Sequence, residues 1–422
     1  MRNSWSANGL CAVPVEGLWN DCLVSPAVRK TARIPDLYDA SDLTHANAGG
    51  CSSVSLRVGL VGAGAAGRLH ALGYRSAGNR SRLVAVADSD IERAQSMRRR
   101  LGFKEAMGDY RDLLARSDID VVSVCTPAAS HAGIVLDAIH ANKHVLCEKP
   151  MTTTTQDGVA IATAASERPD LCVSCVFQHR DDPALRRARW LLERQALGEI
   201  LAIHLSARAC RDAAYYSGKR GSMEIDGGGA LMVQGIHLLD ALIWLAGPVR
   251  SVSATMDTFV HAIDTEDTIG GWARLARGAV ATIDCTTCAR HDAYSIDVIG
   301  ETGVLHLDYR PGWARTWSIR FESRSRRLGW GISRRAKRRF PPESRFRAGN
   351  VATLAARRLV GNERIAPHLG HGPHVRRFLE AIERGGPPPV SPVEATQCLE
   401  VVLAFYRSAQ EGGPVQISPS VP

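Results

Sequence analysis

From Val54 onward the apolar positions follow two alternating periods, and each change of period marks the end of an element. Short β-branched runs at Val58 to Val61, Leu83 to Ala87, Val121 to Cys125 and His144 to Cys147 predict buried strands. Between them, apolar residues three and four apart predict helices over Ala65 to Ser76, Ile91 to Leu101, Tyr110 to Arg116 and His131 to Ala141. Strand and helix alternating at this spacing predict an α/β domain with a doubly wound parallel sheet over residues 54–150.

Beyond Pro150 the pattern changes. A helical stretch, the strand Leu171 to Phe177 and a long helix from Pro183 to Leu197 lead into strand-rich sequence. Strands are expected at Ile200 to Ala209, Val249 to Met256, Thr268 to Leu275, Ala279 to Thr286, Ser295 to Gly300 and Gly303 to Leu307. Most are joined by turns rather than helices, which predicts an α+β domain, residues 151–422, built on a large, mostly antiparallel open sheet. Ala230 to Ala246 is an apolar stretch and reads as a buried helix, and His374 to Arg384 and Pro392 to Gln410 as amphipathic ones. Residues 1–53 show no clean period and are expected to form a poorly ordered extension.

Composition sharpens this picture at three points. The longest apolar runs, such as Leu238 to Ala246, fall short of the roughly 20 residues of a membrane-spanning helix, so no transmembrane segment is expected. Asn8, Glu16, Asn20 and Asp21 interrupt the N-terminal apolar residues too often for a signal peptide, which points to the cytoplasm. Among the 11 cysteines, the pairs Cys172 with Cys175 and Cys285 with Cys288 have zinc-like spacing, but they sit in strand sequence and read as small core residues, with no metal.

The net charge of +9 is local in origin: Arg310 to Arg358 holds fifteen Lys or Arg against Glu322 and Glu343. This basic insertion, with Trp313, Trp317 and Trp330 nearby, reads as a solvated loop, or as a surface for an anionic ligand or peripheral membrane contact. No nucleic-acid recognition fold accompanies it, so a sequence-specific nucleic acid is not an expected partner.

Gly62, Gly64 and Gly67 stand at GxGxxG spacing between the first strand and the first helix. At such a turn the first glycine permits the bend, the second lets the backbone approach a pyrophosphate, and the third packs helix on strand. The helix beginning at Ala65 and Ala66 directs its free N–H groups and positive dipole end at the phosphates. Asp88 ends the second strand, where a carboxylate bonds ribose hydroxyls and repels a 2′-phosphate. The expected cofactor is therefore NAD; Arg93 and the run Arg98 to Arg100 leave NADP open.

Here the chain resembles the glucose-fructose oxidoreductase, inositol dehydrogenase and rhizopine-catabolism (Gfo/Idh/MocA) family. Lys143 to Pro150 matches its Glu-Lys-Pro loop almost letter for letter, and Cys125-Thr126-Pro127 with His131 resembles its segment beside the nicotinamide. The likeness continues through Phe177-Gln178-His179-Arg180, Tyr215-Tyr216, Asp226 to Leu231, Gly235 to Asp240, Glu266-Asp267-Thr268, Gly300 to Leu305 and Gly370 to Ile382. It covers about residues 56 to 415, except for the basic insertion.

The resemblance implies a Rossmann domain and a dehydrogenase acting on a sugar, cyclitol or sugar derivative. It implies that Thr126, Pro127, His131, Glu148 and Lys149 meet the cofactor, and that Lys149 and His237 are catalytic. Lys149 would polarise the alcohol oxygen and His237 would carry the proton. Arg180, Tyr215, Tyr216 and Gln234, together with His237, are the candidates to bind a small polyhydroxylated substrate, neutral or anionic, because guanidinium forks, amides and phenols suit such ligands. A homodimer or homotetramer, joined through the open face of the sheet, is likewise implied.

One position departs from the family pattern. Many members carry an Asp one turn before the histidine, and here Val233 stands there; Asp240 is an alternative partner or a member of an internal salt bridge. An NAD-dependent glycosidase and a dinucleotide-binding sensor without turnover are the competing functions.

Overall fold

The computed structural model describes residues 55–216, 220–310, 316–325, 329–331 and 371–421. The N-terminal extension and most of the basic insertion lie outside the described residues.

The first layer is a six-stranded sheet of β1 (Leu56–Val61), β2 (Ser81–Ala87), β3 (Glu105–Met107), β4 (Val121–Val124), β5 (His144–Cys147) and β6 (Val173–Cys175). Its order is β3-β2-β1-β4-β5-β6 and every pairing is parallel, so the strand order reverses between β1 and β4. That switch point, at the carboxyl ends of the strands, is where such sheets bind ligands. The crossovers are α1 (Ala65–Ser76), α2 (Ile91–Leu101), α3 (Tyr110–Leu114), α4 (His131–His140) and α5 (Thr155–Ser166), followed by α6 (Pro183–Glu193).

Most of these helices start on their own side-chain cap: Asp90 for α2, Asp109 for α3, Thr154 for α5 and Asp182 for α6. Helix α1 does not. Its N-cap is Gly64, which has no side chain, so the first-turn N–H groups are left for a ligand.

The second layer is a nine-stranded sheet of order β14-β13-β12-β11-β7-β10-β9-β8-β15. It comprises β7 (Ile200–Cys210), β8 (Val249–Asp257), β9 (Thr268–Leu275), β10 (Val280–Thr286), β11 (Cys288–Gly300), β12 (Gly303–Arg310), β13 (Thr316–Ser325), β14 (Gly329–Gly331) and β15 (Val415–Gln416). All pairings are antiparallel except β7 with β10. The remaining helical segments are α7 (Ala213–Tyr216), α8 (Met223–Asp226), a π-helical turn Leu231–Gly235, α9 (Ile236–Ala246), α10 (His371–Arg384) and α11 (Pro392–Glu411); α9 and α11 pack on the large sheet, whereas α10 packs on α1 and the parallel sheet. Met223–Ala246 is apolar and long enough to cross a bilayer, yet 72% of its most apolar window is buried inside the protein.

Alternation in the large sheet explains where its core sits. Ile203, Leu205 and Ala207 of β7, Ile296 and Val298 of β11, Leu305 and Leu307 of β12, and Ile283 and Cys285 of β10 are all buried, packed with Leu238, Leu239 and Leu242 of α9 in one core. Continuing those inward rows along each strand reaches Arg211, Tyr294, Tyr309 and Thr287, so the same pleat that builds the core delivers polar side chains to its end.

The structure departs from the sequence expectations in four places. The nucleotide-binding sheet extends past residue 150, because α5 crosses over and returns the chain as the parallel strand β6. The helix from Pro183 stops at Glu193, and Gln195 adopts a φ of 51°. Thr316–Ser325 and Gly329–Gly331, within the basic insertion, extend the large sheet. The buried helix of residues 230–246 opens with a π turn.

Candidate active site

The glycine turn is shaped by its neighbours. Gly62 has a φ of +101°, and a Cβ there would lie 2.5 Å from the Cys125 carbonyl oxygen; at Gly67 a Cβ would run into the Gly62 carbonyl. Gly64 differs, since a Cβ would meet nothing within 4 Å: its missing side chain leaves open space in front of α1. The Asp88 carboxylate accepts from the Ala63 N–H at 2.7 Å and the Asp90 N–H at 2.9 Å, so it fixes the turn as well as placing negative charge beside it. Ala65 is exposed and Ala66 half-buried at the same mouth. An uncapped helix end, an open cradle and a neighbouring carboxylate fit a dinucleotide's diphosphate and ribose. Such a cofactor supplies a hydride acceptor when bound.

At the ends of β4 and β5, His131 is buried with one ring nitrogen 2.8 Å from the Pro150 carbonyl oxygen and the other 2.8 Å from that of Thr126. Both nitrogens are engaged by backbone. This corrects the expectation that His131 meets the cofactor: it is a strap tying the Thr126–Pro127 turn to the cis Lys149–Pro150 bond. Thr126 is half-buried, takes a 2.8 Å hydrogen bond from the Ser130 hydroxyl, and with exposed Pro127 forms the rim.

Glu148 is also turned inward. One carboxylate oxygen contacts His70 at 3.1 Å and His371 at 2.8 Å, while the other accepts the Lys149 N–H at 3.1 Å. Burial pushes this carboxyl up, but the hydrogen bonds from His371 and His70 outweigh it and hold the group well below the usual carboxylate range. His70 continues to Ser123 at 3.1 Å, and Ser123 to Tyr74 at 2.8 Å. Glu148 therefore ties β5, α1 and α10 together one residue before Lys149.

Lys149 is half-buried and its Nζ donates to the Val233 carbonyl oxygen at 2.9 Å. That oxygen lies in the π turn, where the helical ladder is offset and backbone groups face the site. Burial lowers the Lys149 ammonium below the usual lysine range, against the opposing pull of Glu148. His237, half-buried on the first turn of α9, is held well below the usual imidazole range by burial and by the Lys149 charge. The His179 ring stands edge-on to it, with centroids 4.9 Å apart.

A polar wall faces this pair. The Tyr294 hydroxyl donates to Gln234 Oε1 at 3.1 Å, and Gln234 Nε2 donates to the Tyr215 hydroxyl at 3.3 Å. The Tyr215 ring carries two guanidinium groups, Arg211 at 5.0 Å and Arg220 at 4.8 Å from its centroid. The Tyr216 hydroxyl donates to Thr287 at 2.8 Å and its ring packs on His261. Gln234, next to the Val233 carbonyl that holds Lys149, thus brings Tyr215 and Tyr294 together, while Tyr216 backs the Tyr215 ring at 5.0 Å with its own hydroxyl committed to Thr287.

Arg180 does not join them. It is 3% exposed and bonds Asp240 at 2.6 and 3.1 Å, with Glu394 of α11 as a second partner. This corrects its expected substrate role, and it settles Asp240 as an internal ion-pair partner. The sequence reading missed Arg211, Arg220, Tyr294 and Tyr309. The two tyrosines had a signal, since each ends an inward-facing row of period two, Tyr294-Ile296-Val298 and Leu305-Leu307-Tyr309.

Comparison with known proteins places the chain in a family. Residues 56–175 match the family described as "Oxidoreductase family, NAD-binding Rossmann fold", and residues 185–306 match the GFO/IDH/MocA C-terminal domain. The chain belongs to the Gfo/Idh/MocA oxidoreductase family. An inositol 2-dehydrogenase of Acidothermus cellulolyticus is 30% identical over 259 residues, 60% of this chain and 73% of the relative. A levoglucosan dehydrogenase of Pseudarthrobacter phenanthrenivorans is 27% identical over 289 residues, 60% and 74% of the two chains. Among solved structures, the WlbA dehydrogenase from Bordetella pertussis in complex with NADH and UDP-GlcNAcA superposes with a TM-score of 0.73 at 26% identity, covering 87% of this chain and 99% of that one. In this Gfo/Idh/MocA oxidoreductase the 56–175 domain is the NAD-binding one, and the polar wall is assembled from Tyr294 of the large sheet, Gln234 of the π turn and Tyr215 of α7.

Proposed function

We propose that this enzyme oxidises a secondary alcohol of a sugar, cyclitol or sugar derivative, reversibly and with NAD. What supports the reading is that Lys149 donates to the Val233 carbonyl, directly beside Gln234, the middle member of the hydrogen-bonded row Tyr294, Gln234 and Tyr215. An amide and two phenols in series offer donors and acceptors to several hydroxyls at once, which suits a polyol. Named relatives that act on inositol and levoglucosan support the substrate class.

NAD is favoured over NADP by the position of Asp88 and by the commitment of Arg93, whose Nε donates to Asp90 at 2.7 Å. Arg98, Arg99 and Arg100 lie in the last turn of α2, away from its start beside Asp88.

The test is an absorbance screen at 340 nm with NAD and a panel of sugars, cyclitols, sugar acids and nucleotide sugars, run beside Lys149→Ala. Stoichiometric NADH from one class, reduced by about 10² to 10⁴ in the variant, is the expected result. Sugar release without net NADH would instead indicate a glycosidase, and cofactor binding with no turnover a sensor.

A further inference from the structure

The two ring nitrogens of His237 are in different situations. Nδ1 is sealed inside the protein with no hydrogen-bond partner among the described residues. The residue as a whole is half-buried, which leaves Nε2 as the nitrogen that can meet a ligand. Around the ring are Phe177 at 6.2 Å and His179 at 4.9 Å between centroids, both edge-on. An N–H against an aromatic ring is only a second-order interaction. One turn back stands Val233, whose side chain is hydrocarbon and whose carbonyl is taken by Lys149.

Neutral imidazole carries one N–H, and the environment of the second nitrogen decides where it resides. To accept a proton at Nε2, the ring must hold its hydrogen on Nδ1, and that hydrogen then needs a buried acceptor. None faces it. A buried N–H without an acceptor is costly, and on an imidazolium, which would have this same orphan plus a buried charge beside Lys149, it is more so.

We propose that His237 rests as the Nε2–H tautomer and serves the reaction as a hydrogen-bond donor to the substrate oxygen, leaving Lys149 Nζ as the group that takes the hydroxyl proton. This rests on the dehydrogenase reading above. In the oxidation, the substrate O–H bond breaks and an N–H bond forms at the neutral Lys149 amine. The carbinol hydrogen leaves with its electron pair to the nicotinamide, and the C=O bond forms. The ammonium so produced is held by the Val233 carbonyl and favoured by the nearby negative charge of Glu148, and His237 Nε2–H stays on the substrate oxygen throughout. The charged and titratable groups around Lys149 include Glu148, Cys175, Asp226, Arg220, His131, His179 and His237. Because the amine form is the reactive one, the oxidation rate should climb with pH through the lowered Lys149 titration.

The tautomer can be read without substrate. Full-length protein labelled with ¹⁵N in the histidine rings, with His237 assigned by its loss in His237→Gln, should show a bare Nδ1 and a protonated Nε2 in long-range ¹H–¹⁵N correlation at neutral pH. Val233→Asp, which supplies an acceptor one turn back, should reverse that pattern. A protonated Nδ1 in the wild-type protein would overturn the proposal. On a substrate found in the screen, His237→Gln keeps an N–H donor and should lose about ten-fold in kcat/KM, whereas His237→Leu should lose about 10² to 10³. Equal damage in the two variants would overturn the donor role. If no substrate turns over, the dehydrogenase reading fails while the tautomer measurement still decides the state of His237.

Discussion

Gly64→Ala separates a glycine kept for its ligand from one kept for the fold. Gly64 has φ −83° and ψ −164°, which alanine adopts without strain, and nothing in the protein lies within 4 Å of the added methyl. The variant should therefore fold normally and gain about 0.4–1 kcal/mol from the stiffer unfolded chain. The methyl does project into the space before α1, where a diphosphate would take the N–H groups of the first turn. Each hydrogen bond to a charged group is worth about 1.5–3 kcal/mol, so losing one or two should weaken NADH binding by roughly 10- to 10⁴-fold. Gly62→Ala gives the contrast: its φ of +101° and the Cys125 oxygen 2.5 Å from the new carbon should cost about 1–3 kcal/mol of stability. Urea unfolding and NADH fluorescence titration of both variants provide the assay. A Gly64→Ala protein that binds NADH within about three-fold of wild type would refute the placement of the phosphates.

Further outcomes follow from the same contacts. Arg180→Met leaves Asp240 buried without its partner and should cost about 3–5 kcal/mol in urea unfolding; wild-type stability with a raised KM would restore the substrate role to Arg180. Asp267 is held down to about 2: burial pushes it up, but the N–H groups of Phe259, Val260 and His261 outweigh burial. Its charged form therefore stabilises the fold above the unfolded value of about 4, and that contribution is lost as pH falls through about 2. Asp267→Asn should cost about 2 kcal/mol at pH 7, and its gap from wild type in urea unfolding should shrink toward pH 2; a gap that widens on acidification contradicts this. Gln234→Leu removes the middle of the row from Tyr294 to Tyr215, and should raise KM for a polyol about ten-fold or more with NADH affinity unchanged; an unchanged KM would place the substrate elsewhere.

Much of the fold was legible in the sequence because period and burial agree there. The parallel strands read as short apolar runs since both faces are covered, and the glycine turn between Val61 and Ala65 names its own neighbours. The placement of Lys149 and His237 followed from the family resemblance. What escaped the reading depends on contacts distant in the chain. Arg180 looks like a ligand-binding guanidinium until Asp240, 60 positions away, and Glu394, 214 away, are seen against it. His131 carries no sequence mark of its two carbonyl partners. The π turn at Leu231–Gly235 is invisible to a pattern of period 3.6, yet it presents the Val233 carbonyl to Lys149.

The central claim, hydride transfer from a polyol to NAD at Lys149, is tested most directly with a substrate from the screen deuterated at the reacting carbinol carbon. The account requires one deuterium at C4 of the nicotinamide for each NADH formed, with NADH binding intact and transfer lost in Lys149→Ala. NADH free of deuterium, or sugar released with no net NADH, would contradict it.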